Sequence, residues 1–521
     1  MDIDMALLEK IDRIELGERA TALKQRFHSA TPGVAVERAI LATEAWKESQ
    51  GEPVVLRRAK LVQKVLEGVP IAVFPGQRLV GSETAYFRGC SPQVDFDGCF
   101  LEPLLAEDHG KMTLGGPVEK GVLSPEAWDT LRELARFWQG KTAVDKARAL
   151  GRTVLGSWYD DLSEAGVPRY DFKAQLSGCL MFDQVVRSGV GSLRREAQQR
   201  QHAWMENRHH EVEKLYFWQA LVLVLEGLTS FARRHAQRLM ELAAEEPEPE
   251  RRRELEEMAE ICAWVPEHPA RTFREALQSI VLVHLAVKLE TPHYPPTGFG
   301  CMDQYLYAYF RRDLEEGRLS LAEAADLLSD FFLYAARLEW IAEISWRDYF
   351  QKNPLTNLGL GGTNADGAEV SNELSYLFLH VAGLTGYAEP HVVVRWTKDT
   401  PRWFLRKAME TNLRVRGGVP QFQNGDLAVA YMISRGVSAQ NARGWVGHGC
   451  SQAMPSDQCT SLSTDYLNVP LCVDLALHNG IASRSGKRIG CGTGDPRSFK
   501  TFGDLYEAFK QQVEYVFQRQ M

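Results

Sequence analysis

Histidine, cysteine and glycine meet in this 521-residue chain in one segment, ARGWVGHGCSQAMPSDQ over 442–458. Gly447 and Gly449 bracket His448 immediately before Cys450, at the end of a strand-like run. Glycines on both sides let the backbone turn sharply, so the thiol is presented at a loop tip. Taken alone, the plainer reading is a glycine-rich turn with an incidental thiol. Thiolate nucleophilic catalysis stays open, because no partner of a Cys–His–Asn/Asp constellation can be placed from the sequence. The nine cysteines, at 90, 99, 179, 262, 301, 450, 459, 472 and 491, form no CxxC pair and no Cys/His ligand spacing. A disulfide scaffold and a zinc site are therefore not expected, and most of these thiols read as small buried hydrophobes. His209 and His210 lie in a charged helical start, where solvent or a local partner outweighs a metal. LGLGGTNADG (358–367) lacks the Lys-Ser/Thr of a P-loop and does not match GxGxxG. Tight turns with backbone packed against backbone account for its glycines.

The elements that must position Cys450 fall into two textures. From about 5 to 345 the chain is mainly helical, and ERAILATEAWKES (37–49), EPVVLRRAKLVQKVLEGV (52–69) and FWQALVLVLEGLTSFARRHAQRLMELAAE (217–245) repeat apolar residues at helical spacing. EEPEPE (245–250) reads as a solvated turn, followed by a helix whose Leu255, Met258, Ala259 and Cys262 share a face. After about 355, short β-branched runs sit between Gly and Pro: LGLGG, EPHVVVRW, GGVPQFQNGD and WVGHGC. PRWFLRKAMETNL (401–413) supplies a helical crossover between two of them, as a parallel βαβ unit needs. Composition is that of an ordinary enzyme: 45% hydrophobic, 25% charged, net charge −8. That balance offers no nucleic-acid footprint. No apolar run is read as approaching the roughly 20 residues that span a bilayer, and the start is charged, so a cytoplasmic protein is expected.

Several stretches resemble one family, the glycyl radical enzymes that include pyruvate formate-lyase. They are residues 37–60, GVPIAVFPGQRLVG (68–81), 254–278, MDQYLYAYFRRDLEEGRLS (302–320), 358–379, EPHVVVRW (389–396) and GHGCSQ (447–452), in family order. The resemblance implies an α/β fold, a ten-stranded barrel of two half-barrels wrapped in helices. This chain would supply the first half-barrel and the loop carrying the cysteine. It implies that Cys450 is a hydrogen-atom abstractor rather than a nucleophile. A protein glycyl radical, installed by a radical-SAM activating enzyme, would oxidise its thiol, and the thiyl would take hydrogen from a small-molecule substrate inside a dry barrel. A homodimer is implied by the family only.

Departures from the pattern shape the expectation. The RVxGY-like motif with the radical glycine is absent up to Met521. The chain therefore reads as one incomplete pyruvate formate-lyase-like domain over 1–521, with a helical part (1–345) and a strand-rich part (346–521). The glycine would lie downstream or on a separate subunit. The glutamate that dehydratases keep two residues after the cysteine is Gln452, which cannot act as a base. Their pocket aspartate falls at Gly425, beside Asp426, and their pocket histidine at Cys179. Residue 451 is Ser, which argues against acyl transfer by adjacent cysteines. No Lys or Arg lies between Cys450 and Ser483, so a dicarboxylate would need a cation from elsewhere, such as Arg395. The expected activity is radical cleavage of a carbon bond in a substrate with an apolar or aromatic part, arylacetate decarboxylation being one candidate. The alternatives are a fumarate-adding enzyme, a radical dehydratase, a thiol hydrolase or an inactive binding paralogue. Cys450 is the expected catalytic residue. His448, Gln452, Trp396, Thr397, Phe422, Gln423 and Asp426 are the expected substrate contacts. No metal is expected.

Overall fold

The computed structural model describes residues 3–95, 113–114, 124–164, 178–207, 211–290, 297–339, 341–342, 356–416, 418–448, 452–455 and 467–520. Cys450, His209 and His210 lie outside them, as do Cys99 and Cys459.

Two compact units form. The larger comprises residues 1–95, 99–137 and 176–461, and the smaller 96–98, 138–175 and 462–521. Compactness thus follows neither the helical texture before 345 nor the strand-rich texture after it.

Within the larger unit the helices expected from periodicity appear as Glu37–Glu48, Val54–Gly68, Val212–Glu245 and Pro249–Trp264. In the last of these, Leu255, Met258, Ala259 and Cys262 are buried together as their spacing implies. Val212–Glu245 corrects one expectation, since it is long and apolar enough to cross a membrane. The second half of this helix buries Leu228, Phe231, Ala232, His235, Ala236 and Leu239 in the main core, as a core helix does.

Short strands link distant parts of the chain. β1 (Gly33–Val34) pairs with β2 (Gly89–Cys90), β3 (Thr113–Leu114) with β6 (Ile341–Ala342), and β4 (Gly178–Cys179) with β5 (Thr297–Gly298). The sheet that organises the site is parallel, in the order β7 (Asn357–Leu360), β8 (His391–Trp396), β9 (Gln421–Asn424). Its two crossovers are the helices Glu373–Thr385 and Arg402–Val415. The first is started by an Asn372–Ser375 capping box and ended by Gly386 in the left-handed region, φ 67°. The second begins after Pro401, whose fixed φ favours a helix start and which cannot donate to one.

Parallel register puts neighbouring strand residues on one face. His391 pairs with Asn357 and Val393 with Gly359, while Gln421 pairs with Val393 and Gln423 with Arg395. Leu358, Leu360, Val392 and Val394 lie in the main core, and Trp396 packs against it. That face is closed by helices. Each fully buried aliphatic side chain there contributes about 1.5–3 kcal/mol. The opposite face carries Asn357, Gly359, His391, Val393, Arg395, Gln421 and Gln423.

The N-terminal helix Met5–Asp12 is tied to the crossover helices by a polar cluster. Lys407 Nζ donates to Asp12 Oδ1 (2.6 Å) and to His380 Nδ1 (2.9 Å). His380 Nε2 donates to the Ile14 carbonyl (2.8 Å), and Tyr376 OH donates to Asp12.

The smaller unit has its own core of Leu471, Cys472, Leu475, Ala482, Ile489 and Val516, with Trp158 packed against it.

Candidate active site on a cysteine-bearing hairpin

β10 (Val446–His448) and β11 (Gln452–Met454) pair antiparallel, Val446 with Met454, Gly447 with Ala453 and His448 with Gln452. Residues 449–451, including Cys450, connect them. The sequence thus makes a hairpin around the cysteine. His448 and Gln452, both expected at the site, form the cross-strand pair nearest to it.

The hairpin lies on the polar face of the sheet. A side chain at Gly447 would meet Val393 Cγ2 at 3.0 Å, so the strand approaches β8 more closely than any larger residue permits. Upstream, Trp445 sits 5.0 Å from the Arg395 guanidinium. The chain thus touches β8 at Arg395 and Val393, while β10 also borders β7 and β5. On its other side Val446 and Met454 pack with Cys301, and a Cβ on Gly298 would lie 3.3 Å from the Gly447 carbonyl.

Arg395 is the hub of this arrangement. It is 2% exposed, and its fork donates to the carbonyls of Gly361 (3.1 Å), Thr363 (3.3 Å) and Arg443 (2.8 Å) and to Cys301 Sγ (2.9 Å). The turn after β7 fits around it because Gly361 and Gly362 take φ of +65° and +88°. A Cβ at Gly362 would come within 3.0 Å of Arg395. The glycines of LGLGGTN thus serve a tight turn, as their spacing implies. Arg395 is correspondingly not a free cation for a dicarboxylate, which corrects that expectation. Burial pushes the Cys301 thiol upward despite the guanidinium beside it. Next to it, Asp303 is pushed up to about 6 by burial, although its carboxylate accepts from Gly361 N (2.7 Å) and Ser375 Oγ (2.5 Å).

The expected pocket residues divide. Gln423 lies on the hairpin face, donating to Gln421 Oε1 at 3.4 Å. Trp396 and Phe422 do not. Trp396 packs on the main core, and Phe422 shares the face of Val394 and is 38% exposed. Their assignment to the pocket wall is corrected, because alternation along a strand sends neighbours to opposite faces. Thr397 is spent locally, its N–H donating to Thr400 Oγ1 (2.7 Å) and its Oγ1 accepting from Asp399 N (3.3 Å). Asp426 accepts from Lys398 N (2.9 Å), joining the end of β8 to the helix Gly425–Ser434.

Three polar residues on the hairpin face were not foreseen: Asn357, His391 and Gln421. His391 Nε2 donates to Gln421 Oε1 at 3.0 Å, and burial lowers the pKa of the ring below its ordinary 6.5. The signal was present in part as alternation, since QFQN places glutamines at alternate positions and HVVVRW places His391 and Arg395 four residues apart, on one face of a strand. A cleft of about 610 Å³ lined by Arg194, Arg195, Arg233 and Arg234 includes no residue of this sheet or hairpin.

The family model described as pyruvate formate lyase-like matches residues 10–521, and the chain belongs to that family. Among its relatives, an isethionate sulfite-lyase of Oleidesulfovibrio alaskensis is 30% identical, the match covering 96% of this chain and 61% of the relative. The solved glycerol-bound B12-independent glycerol dehydratase from Clostridium butyricum superposes with a TM-score of 0.86 at 25% identity, over 97% of this chain and 63% of that one. A glycyl radical enzyme from Archaeoglobus fulgidus superposes at 0.85 with 27% identity, over 96% and 63%. The chain spans about three fifths of the length of these relatives. The α/β barrel class expected from the sequence is that of these structures.

Proposed function

We propose that this chain is the cysteine-bearing part of a glycyl-radical lyase that breaks a carbon–heteroatom or carbon–carbon bond in a small organic substrate. The observation that carries the reading is the hairpin of 446–454, which brackets Cys450 and lies against the polar face of a parallel sheet in a chain of this family. A glycyl radical, installed by a radical-SAM activating enzyme, would supply the initiating oxidation. Cys450 gives up its thiol hydrogen, takes one from the substrate and returns it to the product radical. A thiol suits this role when it is protonated and kept from water.

Relatives named for lysis of isethionate and for dehydration of trans-4-hydroxy-L-proline and glycerol support carbon–heteroatom cleavage. The polar row of Asn357, His391, Gln421 and Gln423 favours a substrate with a hydrogen-bonding substituent over one that is wholly apolar. Arylacetate decarboxylation, the activity in the name of an indoleacetate decarboxylase relative, stands second. The partners of this reading are the activating enzyme, the polypeptide bearing the radical glycine and a second copy in a homodimer, in an anoxic cytoplasm.

The test is Cys450→Ala in the activated enzyme, assayed anaerobically with isethionate, trans-4-hydroxyproline, glycerol, 1,2-propanediol and indoleacetate. Turnover should vanish while the glycyl-radical EPR signal and the thermal midpoint stay. Turnover that persists in this variant, or aerobic activity without the activating enzyme, would sink the proposal.

A further inference from the structure

Two consecutive helices of the larger unit, Val190–Asn207 and Val212–Glu245, pack against each other and carry every described residue that lines the cleft of about 610 Å³. On the first, Arg194 and Gln198 are four residues apart. On the second, Glu226, Ser230, Arg233 and Gln237 follow at steps of four, three and four, so each set shares one face of its helix. Arg195 and Arg234 adjoin those faces and complete a lining of four guanidinium groups.

The carboxylates nearby leave much of this charge unused. Glu267 accepts from Arg194 (2.6 Å) and from Arg233 (2.8 Å), and among the described residues it is the only carboxylate hydrogen-bonded to any of the four. Glu226 lines the cleft, and the charge of Glu67 acts on Arg234 from outside it. Arg234 donates instead to the carbonyls of Leu66 (2.9 Å) and Val69 (2.7 Å), where the helix Val54–Gly68 ends. Arg195 is exposed and, among the described residues, makes no hydrogen bond or ion pair. We infer that this cleft is a binding site for a small phosphorylated metabolite, whose phosphate oxygens the guanidinium groups hold.

Three observations carry it. The first is the donor set. Planar guanidinium forks match a tetrahedral oxyanion two oxygens at a time, and several of them around one cleft suit a dianion better than a single carboxylate. The second is size. The volume lies within the roughly 300–1,000 Å³ of small-molecule sites, so it has room for a phosphate with a second phosphate or a hydroxylated body. Gln198, Ser230 and Gln237 offer that body polar partners. No aromatic ring is among the described lining residues, so a nucleotide base finds no stacking surface there. The third is preorganisation. Val190 N donates to the Pro266 carbonyl (2.8 Å) and Gly191 N to the Glu267 carbonyl (3.0 Å). Gly189, at φ +68°, lets this approach happen, since a Cβ there would lie 2.4 Å from the Glu267 carbonyl oxygen. The start of the first helix is therefore clamped to the residue whose side chain orients Arg194 and Arg233. With Arg234 pinned by carbonyls as well, part of the ordering cost of binding is met on folding. Burial also lowers the pKa of Arg234, and an anion beside it would restore the stabilisation that lost water gave its charge. The cleft shares no described residue with the hairpin or its sheet, so the site stands apart from the radical-lyase reading.

Calorimetric titration of the intact protein in phosphate-free buffer tests this, with pyrophosphate, inorganic phosphate, glucose 6-phosphate and citrate as probes. Pyrophosphate or glucose 6-phosphate should bind saturably at one site, more weakly as salt is raised. Amide exchange over 190–200 and 226–237 should slow when either is bound. Arg195→Gln and Arg233→Gln, both at exposed positions, should each weaken binding about ten-fold, the loss of one charge-assisted hydrogen bond. Arg406→Gln, on the exposed face of the helix Arg402–Val415, should leave it unchanged. Glu226→Gln should tighten binding about two- to five-fold by removing the like charge from the lining. The absence of saturable binding by every phosphate probe overturns the assignment. So does binding that survives both arginine substitutions, or that Arg406→Gln weakens equally. Citrate binding as tightly as the phosphates would give the cleft to polycarboxylates and overturn the phosphate assignment. Should an arginine variant fold poorly, Glu226→Gln decides, because a damaged protein does not bind more tightly; unchanged or weaker binding there counts against the site.

Discussion

Replacing Arg395 by Met tests whether the hairpin is held by one buried guanidinium. Four hydrogen bonds vanish, those to the carbonyls of Gly361, Thr363 and Arg443 and to Cys301 Sγ. Each bond from a charged donor contributes roughly 1.5–3 kcal/mol. Against their sum stands the cost of keeping a charge at 2% exposure, several kcal/mol in a buried site. The net loss should be about 3–5 kcal/mol, since the carbonyls are left without their donor. With about 2 cal/mol/K of unfolding entropy per residue over roughly 400 residues, the melting midpoint should fall by about 3–6 °C. The loss should also be local. Arg443 leads directly into Trp445 and β10, so amide exchange over 443–448 should accelerate before the rest of the unit opens. Arg395→Lys, which keeps the charge but not the planar fork, should lose about half as much. A midpoint within 1 °C of the parent, with unchanged exchange over 443–448, would refute this account of how the hairpin is positioned.

Other predictions rest on buried titratable groups elsewhere in the larger unit. His235 donates through Nδ1 to the Phe231 carbonyl (2.9 Å) and is pushed down to about 4 by burial. Its contribution is complete above the unfolded value of about 6.5 and is lost as pH falls toward 4, because the unfolded chain binds the proton first. Parent and His235→Gln should thus diverge by about 1.4 kcal/mol per pH unit over that window, and parallel urea-unfolding curves at pH 7, 6 and 5 would contradict it. Comparing the two proteins cancels the opposing effect of Asp303 and Asp330, both raised to about 6. Lys407→Met should loosen the N-terminal helix, whose Asp12 is half-exposed and screened, so the effect is only about 1 kcal/mol. Exchange over Met5–Asp12 should rise about five-fold, and an unchanged rate would show the cluster to be passive.

Much of this protein was legible in its residues. Helical periodicity found the long packed helices, and β-branched runs between glycines found β7, β8 and β9, because both patterns are set by local geometry and burial. The segment GHGCSQ marked a cysteine among glycines at the end of a strand-like run, while its return strand 452–454 emerged only from the fold. What could not be read was which face of each strand meets the hairpin. Trp396 and His391 lie in one strand, but a pocket residue and a core residue differ only by parity and register. Register is decided by pairing with β7 and β9, dozens of residues away. Arg395 likewise looks like a free cation in the sequence, and is consumed by partners 34, 48 and 94 residues distant. The division into units joins 138–175 with 462–521, and no local signal marks that union. Local propensity and motif set the elements and the chemistry-bearing residue. The tertiary structure alone chose their partners, because contacts between distant segments follow from how the whole core closes.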